Sequence, residues 1–322
     1  MKAIERYRLS LPAEPRKRAS AVVVAFAANA LVAVAKSVAA VLTGSASLAA
    51  EAVHSWVDTG NECFVLAASR TAWRPADEAH PLGYGRESYV WSLFASLGMF
   101  ALGSVLTIWR GIAQLAARDE AAASYKVGYA VIGISFLLEG YSFLQTVREL
   151  LPKAAKRGRE LFDHVLRTSD APLRAVFIED FVALIALLIA ALGMALRQLT
   201  GRAVYDAAGA IAIGVLMGAA ALTLIHVNRR YLEGKTLPPE FRAEALRLLR
   251  SFPEVARVTY LYAEFIGPYR LILLAGVTIA GERSQTELAQ VLRDVEQRLR
   301  RNDAIGLAFL TLASPEEEEA RA

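Results

Sequence analysis

Six long apolar stretches constrain this sequence most, since each has about the 20 residues that a helix needs to cross a bilayer. Hydrophobic residues make up 55% of the 322-residue chain, and its mean hydropathy is +0.35, both typical of a membrane protein. The predicted spans are Ala19–Leu42, Ser47–Ser69, Tyr89–Leu115, Tyr125–Leu150, Ala175–Leu199 and Val204–Val227. Residues 19–230 are therefore predicted to form an all-α polytopic membrane domain of six transmembrane helices.

Basic residues predict the orientation of these spans, because Lys and Arg concentrate in cytoplasmic segments. They cluster in an N-terminal tail of residues 1–18, in the second and fourth connections and after the sixth span, whereas the outer turn Thr43–Ala46 has none. Both termini are therefore expected in the cytoplasm. No organelle address is visible, so the plasma membrane is the expected location. The net charge of +4 is attributed to this topology, and no nucleic-acid partner is expected.

A second domain is predicted over residues 231–314, where the hydropathy falls. Its predicted elements are a helix at Pro239–Ser251, strands at Val255–Tyr262 and Leu271–Ile279, a helix at Ser284–Arg300 and a strand at Gly306–Leu312. This αββαβ order is typical of a small α+β domain of the ferredoxin-like type. Residues 315–322 are expected to form a solvated acidic tail.

The second span carries ionisable residues that are costly to place in lipid. At 100° per residue, Glu51, His54, Asp58 and Glu62 fall within about 80° of one another and form a polar stripe on an apolar helix. His54 and Asp58, one helical turn apart, are types of residue that bind metals, so the stripe predicts one wall of a divalent-cation site. The alternative is a structural hydrogen-bonded pair that joins helices.

The segment from Gly44 to Asp58, GSASLAAEAVHSWVD, closely resembles the second transmembrane helix of the cation diffusion facilitator family. The match extends through the loop segment His80–Arg86, HPLGYGR, and six spans followed by an αββαβ domain are also the family layout. The resemblance implies a homodimeric antiporter that exports a divalent transition-metal cation in exchange for protons, with no enzymatic reaction and no prosthetic group. The second domain would then be a cytoplasmic dimerisation module.

The resemblance also implies the metal ligands, because the second and fifth helices of the family each supply a pair of ligands four residues apart. His54 and Asp58 match the first pair, and Asp180 matches the aspartate of the second. The family's other position, often His, is Val176 here, and Glu179 is the nearest replacement. Adjacent helical residues point about 100° apart, so both acids cannot face the site squarely. A Glu-Asp pair at this place resembles a subgroup related to the mitochondrial and nuclear zinc-transporter-like members.

The expected ligands do not settle which ion is carried. Zinc is the first expectation, because it accepts mixed shells of His and carboxylate with a water. An oxygen-rich site also admits manganese, iron(II) or cobalt. A water or Glu51 is the alternative fourth ligand. Metal binding requires neutral imidazole and ionised carboxylates, so loading the ion should displace protons.

Other polar residues within the spans leave alternatives open. Lys36 in the first span is a possible partner for Asp180 or Glu179, and Asp206 would serve either as a gate or as a helix cap. Two further polar faces predict either a lining of the ion route or interhelical packing. Their members are Asn29 and Lys36 on the first span, and Ser135, Glu139 and Ser142 on the fourth.

Two other classes of function compete with transport. A membrane metalloenzyme would use the same ligands, but the chain has no HExxH motif and no serine-centred nucleophile motif. A transport-inactive membrane scaffold that acts through its cytoplasmic domain would explain the missing ligand on the fifth helix. Outside the proposed site, His80 and His164 are expected to be solvated or turn residues, with a secondary metal contact as the alternative.

Overall fold

The computed structural model describes residues 15–116, 125–314 and 316–320. The helices are α1 (Pro15–Thr43), α2 (Ala46–Thr71), α3 (Glu87–Ala116, with a π-helical stretch at Met99–Val105), α4 (Tyr125–Ala155), α5 (Leu161–Arg167), α6 (Ala171–Thr200), α7 (Val204–Leu232), α8 (Pro239–Arg250) and α9 (Gln285–Arg300). The strands are β1 (Val255–Gly267), β2 (Arg270–Ile279) and β3 (Ile305–Leu312). Most of the predicted N-terminal tail lies outside the described residues, as do Pro315 and the last two residues of the predicted acidic tail.

The chain folds into two compact units. Of the described residues, a helical unit contains 15–70 and 88–229, and a second unit combines 71–87 with those from 230 to 320. The helical unit thus holds most of the predicted membrane domain, whereas the loop after α2 belongs to the same unit as the C-terminal sheet. The predicted domain limits at residues 18, 230 and 314 stay a prediction.

Five helices of the described chain, α1, α3, α4, α6 and α7, have the length and apolar composition to cross a membrane. They correspond to five of the six predicted spans. The remaining predicted span lies in α2, which has 26 residues. Its hydropathy is lower because Glu51, Asp58 and Glu62 interrupt the apolar sequence. Composition therefore supports five spans, and α2 as a sixth stays a prediction.

The core of the helical unit packs α2 against α6 and α7. Leu48 and Val57 of α2 are buried in one apolar cluster with Leu187 of α6 and with Ile213 and Met217 of α7. Because α2 packs against these two helices, part of its polar stripe faces the interior of the helical unit. The packing of α2 therefore positions the predicted site inside the unit.

The C-terminal domain is a three-stranded sheet with the helices α8 and α9. The central strand, β2, is antiparallel to β1 and parallel to β3. The element order is the predicted αββαβ, and a turn at Pro268 and Tyr269 joins β1 to β2. β1 extends beyond its predicted end at Tyr262 because the apolar alternation continues through Ala263 and Phe265, both buried. The ferredoxin-like assignment stays a prediction, since a three-stranded sheet alone does not define that fold.

Candidate metal-binding site

The beginning of α2 is fixed by a buried carboxylate of α7. Asp206 accepts hydrogen bonds from the backbone N–H groups of Ala46 (2.6 Å) and Ser47 (3.3 Å) and from the hydroxyl groups of Ser45 and Ser47. Arg197 of α6 adds an ion pair to Asp206 at 3.3 Å. Of the two predicted roles for Asp206, these contacts favour the helix cap. The helix that it caps is α2 rather than its own.

The polar stripe of α2 lies inside the helical unit. Glu51 and His54 are fully buried, and the Asp58 side chain is 16% exposed. His54 Nε2 lies 3.6 Å from Asp58 Oδ1, which is too long for a hydrogen bond. Among the described residues, Glu51 Oε1, Asp58 Oδ1 and both ring nitrogens of His54 have no hydrogen-bond partner. The alternative of a structural His54–Asp58 hydrogen bond is therefore not supported, and these atoms are available to a ligand.

Asp180 and Glu179 contact different helices, as expected for adjacent helical residues. Asp180 Oδ2 accepts a hydrogen bond from Ser142 Oγ of α4 at 2.7 Å, and Glu179 Oε1 accepts one from Asn61 Nδ2 of α2 at 2.8 Å. Asn61 is not among the predicted site residues. Its position three residues after Asp58 places it on the same side of α2, and that spacing was the signal available in the sequence.

The four predicted ligands, His54, Asp58, Glu179 and Asp180, here called the α2–α6 cluster, line one region without converging on one point. Within the described ranges, no three His, Cys, Asp or Glu side chains are close enough together to hold a metal ion. Asp58 nevertheless interacts electrostatically with Asp180, and Glu179 with both of these aspartates. An ion at this place would therefore have to draw the side chains of α2 and α6 together.

Lys36 of α1 is buried and pairs with two carboxylates outside the α2–α6 cluster. Its Nζ donates to Glu51 Oε2 at 2.9 Å and to Glu139 Oε1 at 3.4 Å. The alternative in which Lys36 pairs with Asp180 or Glu179 does not hold in this structure. Lys36 lies at the level of Glu51, a turn before the ligand pair on α2, and carboxylates closer to it neutralise its charge.

The polar faces of α1 and α4 both make interhelical hydrogen bonds. Asn29 Nδ2 of α1 donates to Glu62 Oε1 of α2 at 3.5 Å, and Ser142 of α4 binds Asp180. Ser135 is buried on α4. These contacts agree with interhelical packing, and because Asp180 belongs to the α2–α6 cluster, the α4 face also borders the predicted site.

The other two histidines with a predicted role, His80 and His164, belong to segments other than α2 and α6. His80 is exposed in the loop after α2 and stacks on Tyr84, with ring centroids 4.0 Å apart. The Tyr84 hydroxyl donates to Asp77 and thereby lowers the pKa of that carboxyl group. His164, expected to be solvated, is instead buried on α5, because α5 packs on an apolar cluster that contains Phe177. Burial lowers the pKa of His164 to about 4.

A family model described as the cation efflux transmembrane domain matches residues 22–232. This range covers more than half of the chain and contains the whole α2–α6 cluster. The chain belongs to the cation diffusion facilitator family. The resemblance predicted from the α2 motif is thus confirmed. With five apolar helices, this cation diffusion facilitator is an integral, multi-pass membrane protein of a transporter family, not of an enzyme family.

Curated relatives agree with this membership. Metal tolerance protein C4 of Arabidopsis thaliana is 34% identical over 233 residues, 72% of this chain and 51% of the relative. The mitochondrial proton-coupled zinc antiporter SLC30A9 of Homo sapiens is 30% identical over 283 residues, 86% of this chain and 50% of the relative. Cation-efflux pump FieF of Serratia proteamaculans is 29% identical over 232 residues, covering 72% and 71%. This cation diffusion facilitator spans about half the length of the first two.

Proposed function

We propose that the protein is an antiporter that exports a divalent transition-metal cation from the cytosol in exchange for protons. The observation that carries the proposal is the buried pair His54 and Asp58, which keeps unpartnered polar atoms inside the helical unit. Such atoms are costly to bury, and ionisable groups within a membrane domain generally mark an ion or proton pathway. Membership of a cation efflux family supports the same function.

In this proposal His54, Asp58 and Asp180 coordinate the ion, and Glu179 supplies the fourth ligand. His54 Nε2 and Asp58 Oδ1 are 3.6 Å apart and can turn toward one ion without breaking a hydrogen bond. The hydrogen bonds to Asp180 and Glu179 engage one oxygen of each carboxylate, Oδ2 and Oε1, and leave the other for the ion. Micromolar binding releases about 8 kcal/mol, which is ample to draw two helices closer by a small movement.

Zinc is the first candidate for the transported ion. One imidazole with carboxylate oxygens is a ligand set that zinc accepts. Because Val176 stands where many relatives have a second imidazole, the set is also hard enough for manganese, iron(II) or cobalt. The name of the human relative SLC30A9 includes zinc, which favours zinc for this chain as well.

Exchange for protons follows from the ligand chemistry. Imidazole binds a metal when it is neutral, and carboxylates bind when they are ionised, so an arriving ion displaces protons. Protons that arrive from the opposite side then help to release the ion. The human relative SLC30A9 is named as proton-coupled, in agreement with this exchange.

The proposed transporter has six spans, with α2 as the additional one. The 26 residues of α2 extend about 39 Å at 1.5 Å per residue, enough to cross a bilayer, and Glu51 and His54 are buried in protein. The basic connections favour an orientation with both termini in the cytoplasm. We further propose that residues 231–314 form the cytoplasmic part of a homodimer and that the protein resides in the plasma membrane.

Zinc uptake into proteoliposomes tests the proposal. Purified protein is reconstituted, zinc is added outside, and accumulation is followed with an acidic lumen or without a pH gradient. We expect the acidic lumen to accelerate uptake by the wild-type protein. Asp58→Ala should abolish uptake while the protein stays folded, because it removes a ligand. Glu149→Ala is the matched control, since Glu149 of α4 is 55% exposed and pairs with Lys153, and it should transport normally.

Other results of the uptake assay would reject parts of the proposal or favour a different function. Full uptake by Asp58→Ala would reject the ligand assignment, and uptake that ignores the pH gradient would count against proton exchange. Zinc binding that depends on His54 but leads to no uptake would favour a transport-inactive scaffold. Metal-dependent turnover of a peptide or lipid substrate without ion flux would favour a membrane metalloenzyme.

A further inference from the structure

Lys36 places a positive charge in the interior of the helical unit. Its side chain is 1% exposed, and its Nζ lies 2.9 Å from Glu51 Oε2 and 3.4 Å from Glu139 Oε1. Three helices, α1, α2 and α4, thus contribute to one charged group of residues. None of the three residues belongs to the proposed ligand set, so the coordination of the ion does not explain why this charge is buried.

Both carboxylates that hold Lys36 lie one helical turn from a part of the proposed metal site. On α2, Glu51 precedes His54 by three residues. On α4, Glu139 precedes by three residues the serine that donates to Asp180. Lys36 also interacts electrostatically with His54 and with the aspartate one turn further along α2. The ammonium group is therefore close to the ligands on α2 and to α4, the helix whose Ser142 donates to Asp180.

The charge of Lys36 changes what a divalent ion meets at the site. Without it, Glu51 and Glu139 would add two unneutralised carboxylates beside three acidic ligands. A site that attracts its ion too strongly does not release it, and passage requires binding that is favourable enough to load and weak enough to leave. A fixed positive charge nearby opposes a divalent cation, and this repulsion is stronger in a protein interior than in water.

We propose that Lys36 is a built-in counter-charge that withholds Glu51 and Glu139 from the transported ion and weakens its binding enough to permit release. This inference rests on the proposed function and adds a residue that sets affinity and turnover without touching the ion. A purely structural link among α1, α2 and α4 predicts the opposite effect on affinity. Loss of such a link would loosen the site and weaken zinc binding.

The test compares zinc affinity with transport rate in Lys36 variants. Zinc binding to purified protein in detergent is measured by titration calorimetry, and uptake is measured in proteoliposomes. We expect Lys36→Gln to lower the dissociation constant for zinc at least about tenfold and to lower the maximal uptake rate by a similar factor. Lys36→Arg, which keeps the charge, should stay within about threefold of the wild type in both measurements.

A second pair of variants keeps the inference testable if Lys36→Gln does not fold. Glu139→Gln removes a negative charge and leaves the ammonium less neutralised, so zinc binding should weaken about three- to tenfold. The double variant Lys36→Gln/Glu139→Gln restores the charge balance and should return the affinity toward the wild-type value. Weaker or unchanged binding by folded Lys36→Gln, or unchanged or tighter binding by Glu139→Gln, would overturn the inference.

Failure of the inference is distinguishable from failure of the proposed function. If the wild-type protein binds and transports zinc and His54→Gln loses both, the proposed function stands, whatever the Lys36 variants do. In that case unchanged affinity in Lys36→Gln removes only the role of Lys36. If wild-type protein neither binds nor transports zinc, manganese, iron(II) or cobalt, the proposed function and this inference fall together.

Discussion

Two buried polar groups lie along α2, and they differ in how completely their hydrogen bonds are satisfied. At the beginning of the helix, Asp206 accepts from two backbone N–H groups and two serine hydroxyls and pairs with Arg197. Two to three turns further along, His54 and Asp58 keep unpartnered atoms in the interior of the same unit. One helix, α2, is thus capped by a satisfied carboxylate of α7 and itself carries an unsatisfied polar pair.

This difference in hydrogen bonding distinguishes Asp206, which stabilises the start of α2, from His54 and Asp58, which the proposed function uses. A buried carboxylate with a full set of donors stabilises the start of a helix and fixes its neighbours. A buried imidazole without a partner lowers the free energy of unfolding, because its lost hydration is not replaced. Stability therefore explains Asp206 but not His54, whereas the proposed binding of a transported ion would explain why His54 and Asp58 remain unpaired.

His164 shows that a missing partner alone does not indicate a metal site. Its Nδ1 is buried without a hydrogen-bond partner among the described residues, as in His54. The charged groups around it are mainly cations, Lys153, Arg157 and Arg159, which together with burial hold its pKa at about 4. A metal cation would be repelled there, whereas His54 has several carboxylates nearby. The charge of the surroundings therefore favours His54 over His164 as the proposed ligand.

The largest expected effect comes from breaking the satisfied group. Asp206→Ala leaves Arg197 buried without its carboxylate partner and leaves the start of α2 uncapped, so the free energy of unfolding should fall by about 3–5 kcal/mol. Chemical unfolding in detergent, followed by circular dichroism, measures this loss. A decrease below about 0.5 kcal/mol would show that Asp206 does not stabilise α2.

The matched change in the unsatisfied group should affect binding instead of stability. His54→Gln should reduce zinc affinity at least about 100-fold, since even the partners of metal ligands contribute 10–100-fold. Its unfolding free energy should stay within about 0.5 kcal/mol of the wild type, because no hydrogen bond is lost. His226→Gln, at an exposed position of α7, serves as the control in both assays. If Asp206→Ala and His54→Gln destabilised the protein equally, the two polar groups would not differ in their contribution to stability.

A smaller effect on affinity tests whether Glu179 belongs to the ligand set. Asn61 donates to Glu179 at 2.8 Å and would orient that carboxylate toward an ion. Asn61→Ala should therefore weaken zinc binding about tenfold, as measured by titration calorimetry. Unchanged affinity in a folded Asn61→Ala variant would remove Glu179 from the site and leave water or Glu51 as the fourth ligand.

The smallest expected effect concerns pH and His164. Its pKa of about 4 lies below the ordinary value of 6.5, so the unfolded chain binds more protons than the folded one between these values. Stability should therefore fall as the pH falls from 6.5 toward 4. Between pH 7 and pH 5, the melting temperature of wild type should drop about 2–4 °C more than that of His164→Gln. If the melting temperatures of wild type and His164→Gln changed in parallel with pH, the folded protein would take up a proton at His164 as readily as the unfolded chain.

Local patterns predicted those features that depend on residues near one another in sequence. Helical spacing places Glu51, His54 and Asp58 on one side of α2, because geometry within a helix is set by residue number alone. The αββαβ order was predicted for the same reason, since strand alternation and turn residues are local signals. The perpendicular directions of Glu179 and Asp180 also follow from their adjacency, and the structure confirms them through their different hydrogen-bond partners.

Contacts between distant segments were beyond this kind of prediction. Asp206 caps a helix whose serine residues lie 159 and 161 positions earlier, so its role depends on how α7 packs beside α2. Lys36 pairs with Glu139, 103 positions away, for the same reason. The burial of His164 depends on the packing of α5 on its neighbours, although its basic connecting segment indicated exposure to solvent.

The central claim is that α2 and α6 hold one divalent ion between them. Anomalous X-ray scattering at the zinc edge, measured on crystals of the zinc-loaded protein, tests it most directly. We expect a zinc peak about 2.0–2.2 Å from a ring nitrogen of His54 and from carboxylate oxygens of Asp58 and Asp180. Zinc found only at other residues, with His54 and Asp58 still unligated, would contradict the proposed coordination of the ion by α2 and α6.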